Sequence, residues 1–528
     1  MKFLRLPDAR EFYAFYTVIS LLVVAGALPR FFILIAFAIA ALWCVARPIE
    51  DGVLFFVESI PLLIALPLTT SYDNLTMWRP LAIIIGARFF LVRDQREQIV
   101  ASLRSLLATP LRWAKERPIG CMMFALLCLA LLSLTVSSHP IEGIKRIIYF
   151  SNLSIVPYVL YALLRQERIT NERVIWSIIK PVILVVIVGY AQLLSTYLID
   201  VYAFMRFWGE GIEARLFGAQ WSYIAVHIGN TWLAYYGDQL SLRMFSLFPD
   251  SHSFPTFVLL GMPALLAVGA RPILIAAQRS RLLQLYRTYA SLWIVAVPIS
   301  FLAVIASGTR GIWLSAVGVV ALLPLYRYAF AIHRIDVLRR RMFAYGASFL
   351  ATFFLLFFVA WPIFTSPQFL VGKSDLNLFG RRLSSTLDFG ETSNALRIVI
   401  WKSTLESIYS HPLLGIGIGN FPVILDQNIT LAKAGSTAHN LYLHVASEMG
   451  IAAALITIAL FGNSLYAAWR WFRISSGISI LYSGSLLLYL PWIYAYVLTD
   501  PILFDERVYL LFASTLAIIW SQSLNEHA

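Results

Sequence analysis

Residues 119–137 read IGCMMFALLCLALLSLTVS, nineteen consecutive positions without a charged side chain. About 20 mostly apolar residues suffice to cross the ~30 Å hydrocarbon core of a bilayer as a helix. The run just before, Arg93–Arg117, carries Arg93, Arg96, Arg104, Arg112 and Lys115. An apolar span entered from a basic run is the pattern of a membrane helix that starts on the cytoplasmic side.

Working outward, the same reading repeats along the chain. Residues 12–29, 31–47, 52–70, 76–92, 119–137, 146–164, 174–198, 246–270, 289–308, 311–331, 343–363, 438–469, 475–499 and 506–522 give about fourteen apolar segments of spanning length. Arg79 and Arg88 crowd the fourth. The first could imitate a signal peptide, with Lys2, Arg5 and Arg10 ahead of it and Ala25-Gly26-Ala27 behind, and is read as a retained helix.

Composition agrees. Of 528 residues, 59% are hydrophobic and 13% charged, about half the ~25% charge of a soluble domain. That excludes a soluble multidomain enzyme, a disordered chain and a coiled coil. The 41 Lys+Arg against 28 Asp+Glu give +13. These cations lie in short runs between apolar stretches rather than as a patch on a polar domain, so nucleic acid is not expected as a partner. Cys44, Cys121 and Cys128 sit in apolar stretches without metal-ligand spacing and read as small hydrophobes.

With the N-terminus inside, alternation puts the dense runs Arg93–Arg117, Arg165–Arg173, Arg271–Arg287, Arg334–Arg341 and Arg470–Arg473 on the cytoplasmic face. An even number of spans returns the C-terminus to that face. The expected fold is an all-α polytopic membrane protein: a transmembrane bundle over 1–362, with an outer loop at about 200–245, a periplasmic helical arm over 363–437, and C-terminal transmembrane helices over 438–528.

Both long outer segments look ordered. The first holds Trp208, Trp221 and Trp232. In the second, Ser393-Asn394 precede Arg397, Ile398, Ile400, Trp401, Leu405 and Ile408, the spacing of a short amphipathic helix with a Ser or Asn cap. It is expected to stop before His411-Pro412. The run Leu413–Phe421 has three alternate glycines but no Gly-Lys-Ser/Thr ending and no βαβ context, so it is not a nucleotide loop. It reads as a turn whose backbone closely approaches another element or a ligand.

Charges at membrane depth are costly and mark candidate sites. Arg310, in Ser307-Gly308-Thr309-Arg310-Gly311, reads either as a snorkelling interfacial arginine or as a bidentate anion clamp at the outer boundary. Arg243, Asp250 and His252 crowd the entry of a span, as a bracing cluster or as the lining of a cavity. His439 opens a span on the outer side, where a helix N-terminus disfavours imidazolium and suits a general base. On one continuous helix Glu448 is about half a turn away from His439, so it is a poor partner for it. His444 and Glu448 share a face and read as a buried bracing pair. Arg397 and Trp401, one turn apart, suggest a stacked pair or contact with a sugar or phosphate. No H-E-x-x-H, D-x-D or Cys/His cluster points to a metal, and Asp375, Asp388, Glu391 and Asp426 lack ligand spacing.

These strings resemble the O-antigen ligase / O-antigen polymerase superfamily of bacterial envelope polysaccharide glycosyltransferases. The resemblance rests on Arg397-x-x-x-Trp401, on His411-Pro412-Leu413-Leu414-Gly415-x-Gly417-x-Gly419-Asn420-Phe421, and on His439-Asn440-x-Tyr442-Leu443 with Glu448-x-Gly450. Ser307–Gly311 and the Arg243…Pro249 stretch add to it. It spans roughly Arg243 to Gly450. The resemblance implies a C-type glycosyltransferase-like bundle in the bacterial inner membrane. It implies a polyprenyl-diphosphate-linked glycan donor, a glycan or lipid-core acceptor, and transfer on the periplasmic face without cofactor or metal. By position, Arg310 and Arg243 would bind the donor diphosphate and His439 would activate the acceptor hydroxyl. Arg397, Asn440, Tyr442 and His252 would contact substrate. One departure stands out: Asp250-Ser251-His252 follows Pro249 where members often have Asn, which leaves the partner of Arg243 open and Arg215 as an alternative donor ligand.

The residues supply the same chemistry. Expelling a lipid diphosphate needs positive charge on the leaving group and a base on the attacking hydroxyl. Ligase, polymerase and protein O-oligosaccharyltransferase chemistry all fit. A polysaccharide or lipid transporter is the rival class, although the chain shows no pair of similar halves.

Overall fold

The structure is a computed structural model. It describes residues 7–68, 75–228, 232–236, 239–269, 290–371, 377, 380, 392–427 and 437–523. The expected basic loop Arg271–Arg287 and the residues Asp375, Asp388 and Glu391 lie outside these.

The described chain is helical apart from one two-stranded antiparallel ribbon, Leu233–Tyr236 with Gln239–Leu242, and an isolated bridge between Ala65 and Thr76. The ribbon was not expected from an all-helical reading. Among the described residues, seven helices are long and apolar enough to cross a membrane: Pro118–Val136, Pro140–Arg165, Asn171–Ser195, Arg310–Ile332, Val337–Thr365, Ile451–Ile474 and Ile478–Tyr496. Phe32–Ala46, Ser253–Gly269 and Val295–Ala306 are shorter apolar helices. The chain is therefore a multi-pass membrane protein.

A helix that is apolar all round must be enclosed by protein or lipid. Ser253–Gly269 is enclosed by protein, with every residue buried. It packs on Ile478–Tyr496, which is buried along almost its whole length. Helices 171–195, 290–306 and 506–523 also pack against 253–269. Helices 310–332, 337–365 and 451–474 pack on 478–496. One end of this central pair, where Ser253–Gly269 begins and Ile478–Tyr496 ends, carries the candidate site.

Three expected spans are broken. Residues 52–70 are not one helix: Ile49–Ser59 gives way to a short 3-10 turn containing Pro61 and then to extended chain. Residues 246–252 are not helical, because side chains from neighbouring elements hold their backbone. Gln192 Oε1 accepts the Phe245 and Ser246 amides, each at 3.0 Å. Asp250 Oδ1 accepts those of His252 and Ser253, each at 2.8 Å, which fixes the helix start at Ser253. Irregular backbone is stable at membrane depth only where protein satisfies it in this way. The segment 438–469 divides into Leu441–Met449 and Ile451–Ile474 around Gly450, whose φ is +86°. His439 precedes the first of these helices.

The basic run 93–117 is also not a loop. It forms a helical hairpin, Arg93–Ala108 and Pro110–Glu116.

Candidate active site

Four turns meet at one end of the central pair. The first carries Arg243 and His252, the second Arg310, the third His439 and the fourth Asp500.

Asp500 follows the helix Ile478–Tyr496 and precedes Pro501. Its Oδ2 lies 3.6 Å from Nδ1 of His252 and 3.7 Å from Nδ1 of His439. One carboxylate thus faces two imidazoles from turns nearly two hundred residues apart. Burial works against its charge, but His252, His439 and Arg397 favour it, and the net effect holds the Asp500 carboxyl below its ordinary range.

His252 is fully engaged. Its Nε2 lies 3.1 Å from Nη2 of Arg243 and its Nδ1 2.8 Å from the Tyr496 hydroxyl. A guanidinium only donates, so Nε2 accepts and the proton sits on Nδ1. Burial, with Arg243 adding to it, pushes the His252 pKa down to about 3, which keeps the ring neutral. His252 is thus one partner of Arg243, a question the sequence leaves open, while Asp250 caps the following helix.

His439 adopts φ +45°, unusual for a side chain that is not glycine. Its turn is held from both sides. The Leu441 amide donates to the Val497 carbonyl at 2.8 Å. Trp401 Nε1 donates to the Ala438 carbonyl at 2.8 Å, which ties the arm helix Thr392–Ser410 to the residue before His439. Arg397 lies one turn before Trp401, close enough for its charge to act on both Asp500 and His252.

The Arg310 turn is docked rather than loose. Thr309 Oγ1 donates to the Ser251 carbonyl at 2.7 Å. A Cβ built on Gly311 would lie 2.3 Å from Thr499 Oγ1, so glycine lets this helix start abut the residue before Asp500. Arg310 opens the helix Arg310–Ile332 there.

The remaining expected residues have other surroundings. Asn440 caps Leu441–Met449, its Oδ1 accepting the Tyr442 and Leu443 amides at 3.0 and 3.1 Å. The Tyr442 hydroxyl donates to the Tyr494 carbonyl at 3.1 Å. Arg215 reaches the Val24 carbonyl at 3.4 Å and packs on Gly26, so its described contacts are with the end of the helix Ala9–Val24.

His444 and Glu448 are a buried pair 3.4 Å apart. Phe421 stacks on His444, and its amide donates to Glu448 at 3.1 Å. The glycine run approaches this helix. The Ile416 and Gly417 amides donate to the Ser447 and Glu448 carbonyls at 2.9 and 3.0 Å. A Cβ on Gly415 would sit 2.4 Å from the Ser447 carbonyl oxygen. Gly415 and Gly417 therefore close the C-terminal end of the helix below His439, while Gly419 abuts Glu142 and Gly143 at the start of the helix Pro140–Arg165. The arm helix stops at Ser410, ahead of His411-Pro412, but it begins by Thr392, so Ser393 and Asn394 lie within it and do not precede it.

Asp500 and Tyr496 were not singled out in the sequence. The signal was present: an acidic residue just past the end of an apolar span, which by its cost is a candidate like Arg310. A second cluster stands behind. Arg507 is buried, donates to the Leu247 carbonyl and lies 4.3 Å over the Phe217 ring. It fixes the chain between Arg243 and His252 against the segment that follows Asp500.

Residues 295–458 match the family model described as O-antigen ligase. That match supports placing the chain in the O-antigen ligase / O-antigen polymerase superfamily. It covers Arg310, Arg397, Trp401 and His439, and leaves Arg243, His252 and Asp500 outside. No curated protein matches the chain.

Proposed function

We propose that the chain is a membrane glycosyltransferase of the O-antigen ligase or polymerase type. It moves a glycan from a polyprenyl-diphosphate donor to an acceptor hydroxyl on the periplasmic face of a bacterial inner membrane, within a bundle of about fourteen spans. The observation that carries the reading is the Asp500 carboxylate facing Nδ1 of His439 in a family-matched chain.

Asp500 orients the ring by attracting Nδ1–H, which leaves the Nε2 lone pair for the acceptor hydroxyl. The hydroxyl oxygen bonds to the anomeric carbon as its proton passes to His439 Nε2. The bond from that carbon to the diphosphate oxygen breaks, and the electron pair leaves with the lipid diphosphate. Arg310 and Arg243 meet that charge, so no metal is needed for it. Direct displacement inverts the anomeric centre. His252 already gives its Nε2 to Arg243 and is not the base; it holds the guanidinium in place.

The docking of Arg243 beside His252 favours it over Arg215 as donor ligand. Arg397 and Trp401 sit on the helix Thr392–Ser410, which Trp401 ties to the residue before His439, and that proximity makes them the candidates to contact an incoming sugar. Purified protein incubated with lipid-linked glycans and candidate acceptors, read by mass spectrometry, tests the assignment. A glycan-extended acceptor is expected; unchanged donor with every acceptor class refutes it.

A further inference from the structure

The helical hairpin 93–116 has two faces of different character. On Arg93–Ala108, residues Arg93, Arg96, Val100, Arg104 and Leu107 fall within about 80° of arc at ~100° per residue, and all five are exposed. The other face holds the hairpin in place. Gln95 is buried and accepts from Gln166 at 3.0 Å, and Ser102 accepts from Trp113 Nε1 at 3.2 Å.

The tip is apolar. Leu107 is 83% exposed and Leu111 87%. Two of the hairpin's three acids are occupied, Glu97 by Arg93 at 2.8 Å and Glu116 by Arg112 at 2.7 Å, and the third, Asp94, lies in the first turn beside Arg93. Arg96, Arg104 and Lys115 have no ion pair among the described residues. A shallow hollow lies between Arg96 and Arg104, floored by Val100 and Ala101. The hairpin is continuous at one end with the helix Trp78–Phe90 and at the other with the spanning helix from Pro118, so it emerges at a membrane boundary.

Cations interleaved with apolar residues along one stripe are the mark of a helix lying in the headgroup region. We propose that this hairpin docks on anionic phospholipid at the membrane surface from which it emerges. Arg96, Arg104 and Lys115 take the headgroup phosphates, and Leu107 and Leu111 enter the acyl boundary. Basic residues concentrate at an anionic leaflet, and the attraction is screened by salt.

The test is amide hydrogen exchange on the full chain in nanodiscs of phosphatidylcholine, with and without phosphatidylglycerol. Exchange at residues 103–113 is expected to slow roughly five-fold or more with phosphatidylglycerol. The combined variant Arg96→Gln, Arg104→Gln, Lys115→Gln is expected to abolish that difference, and unchanged exchange in Ser253–Gly269 shows that the variant is folded. Equal exchange in the two bilayers overturns the proposal. So does a lipid dependence that survives the three substitutions, or protection seen only when a soluble protein is added.

Discussion

Nδ1 of His439 and Nδ1 of His252 face the same oxygen of Asp500, at 3.7 and 3.6 Å, although the two histidines come from turns on opposite sides of the arm in sequence. The carboxylate thereby couples the proposed base to the residue that holds Arg243. Removing its charge alone is the gentlest way to test that coupling. Asp500→Asn is expected to lower the transfer rate by about 10²–10⁴-fold, the range found when an oriented base loses its tautomer. Donor binding, measured separately, is expected to stay close to that of the unaltered protein. A rate within about threefold of the unaltered protein contradicts the role, since general-base effects are far larger.

The buried, neutral state of His252 makes stability depend on pH. Its folded pKa, about 3, is below the ordinary value of 6.5. Between these the unfolded chain takes up a proton that the folded chain refuses. Stability is therefore greatest above about pH 6.5 and declines as pH falls toward 3. Asp500 behaves differently: its carboxyl is depressed, so its contribution is present above about pH 4 and lost only below that. Apparent Tm of the detergent-solubilised protein is expected to fall between pH 7 and pH 5, and His252→Gln is expected to flatten that slope. A variant with the same slope as the unaltered protein shows that His252 is not its source.

Gly450 separates the His439 helix from the span that follows. Its φ is +86°, and a Cβ there would lie 2.0 Å from the Leu413 carbonyl oxygen. Gly450→Ala combines backbone strain of about 1–3 kcal/mol with a clash against backbone. A clear drop in apparent Tm and in transfer rate is expected. An unchanged melting curve rules out the tight approach of the glycine run to this helix.

The Trp401 indole N–H is the arm helix's bond to the turn before His439. Trp401→Phe keeps an aromatic ring and deletes that bond, worth about 1 kcal/mol. Transfer is expected to slow several-fold with little change in melting. Because the substitution leaves His439, Asp500 and both arginines intact, a rate loss as large as that of Asp500→Asn speaks against a positioning role for Trp401 and for direct contact with the reacting sugar.

The helices were legible wherever one physical signal dominated. The span expected at 174–198 is the helix Asn171–Ser195, and that at 311–331 is Arg310–Ile332. Apolar length alone misled where side chains far away in sequence hold the backbone. Gln192 keeps residues 245–246 out of a helix, and no local property of Phe245 or Ser246 shows this. The hairpin at 93–116 is hidden in the sequence because its density of charge signals a cytoplasmic loop as readily as a helix. Of the residues gathered at the candidate site, Arg243, Arg310, Arg397 and His439 are visible in the sequence as polar groups beside or between apolar stretches. Asp500 obeys the same rule and was overlooked between two spans. Its relation to two distant histidines is a tertiary fact that no spacing in the chain expresses. Asn440 shows the converse: a polar residue beside His439 whose side chain is used up in capping the helix.

In the proposed reaction His439 takes the acceptor proton. The most direct measurement compares the unaltered protein with His439→Ala, purified and supplied with the same lipid-linked donor and acceptor, with products resolved by mass spectrometry and donor binding measured in parallel. The variant is expected to bind the donor as before and to yield no transferred glycan above background. Transfer at the unaltered rate by the His439→Ala protein contradicts it.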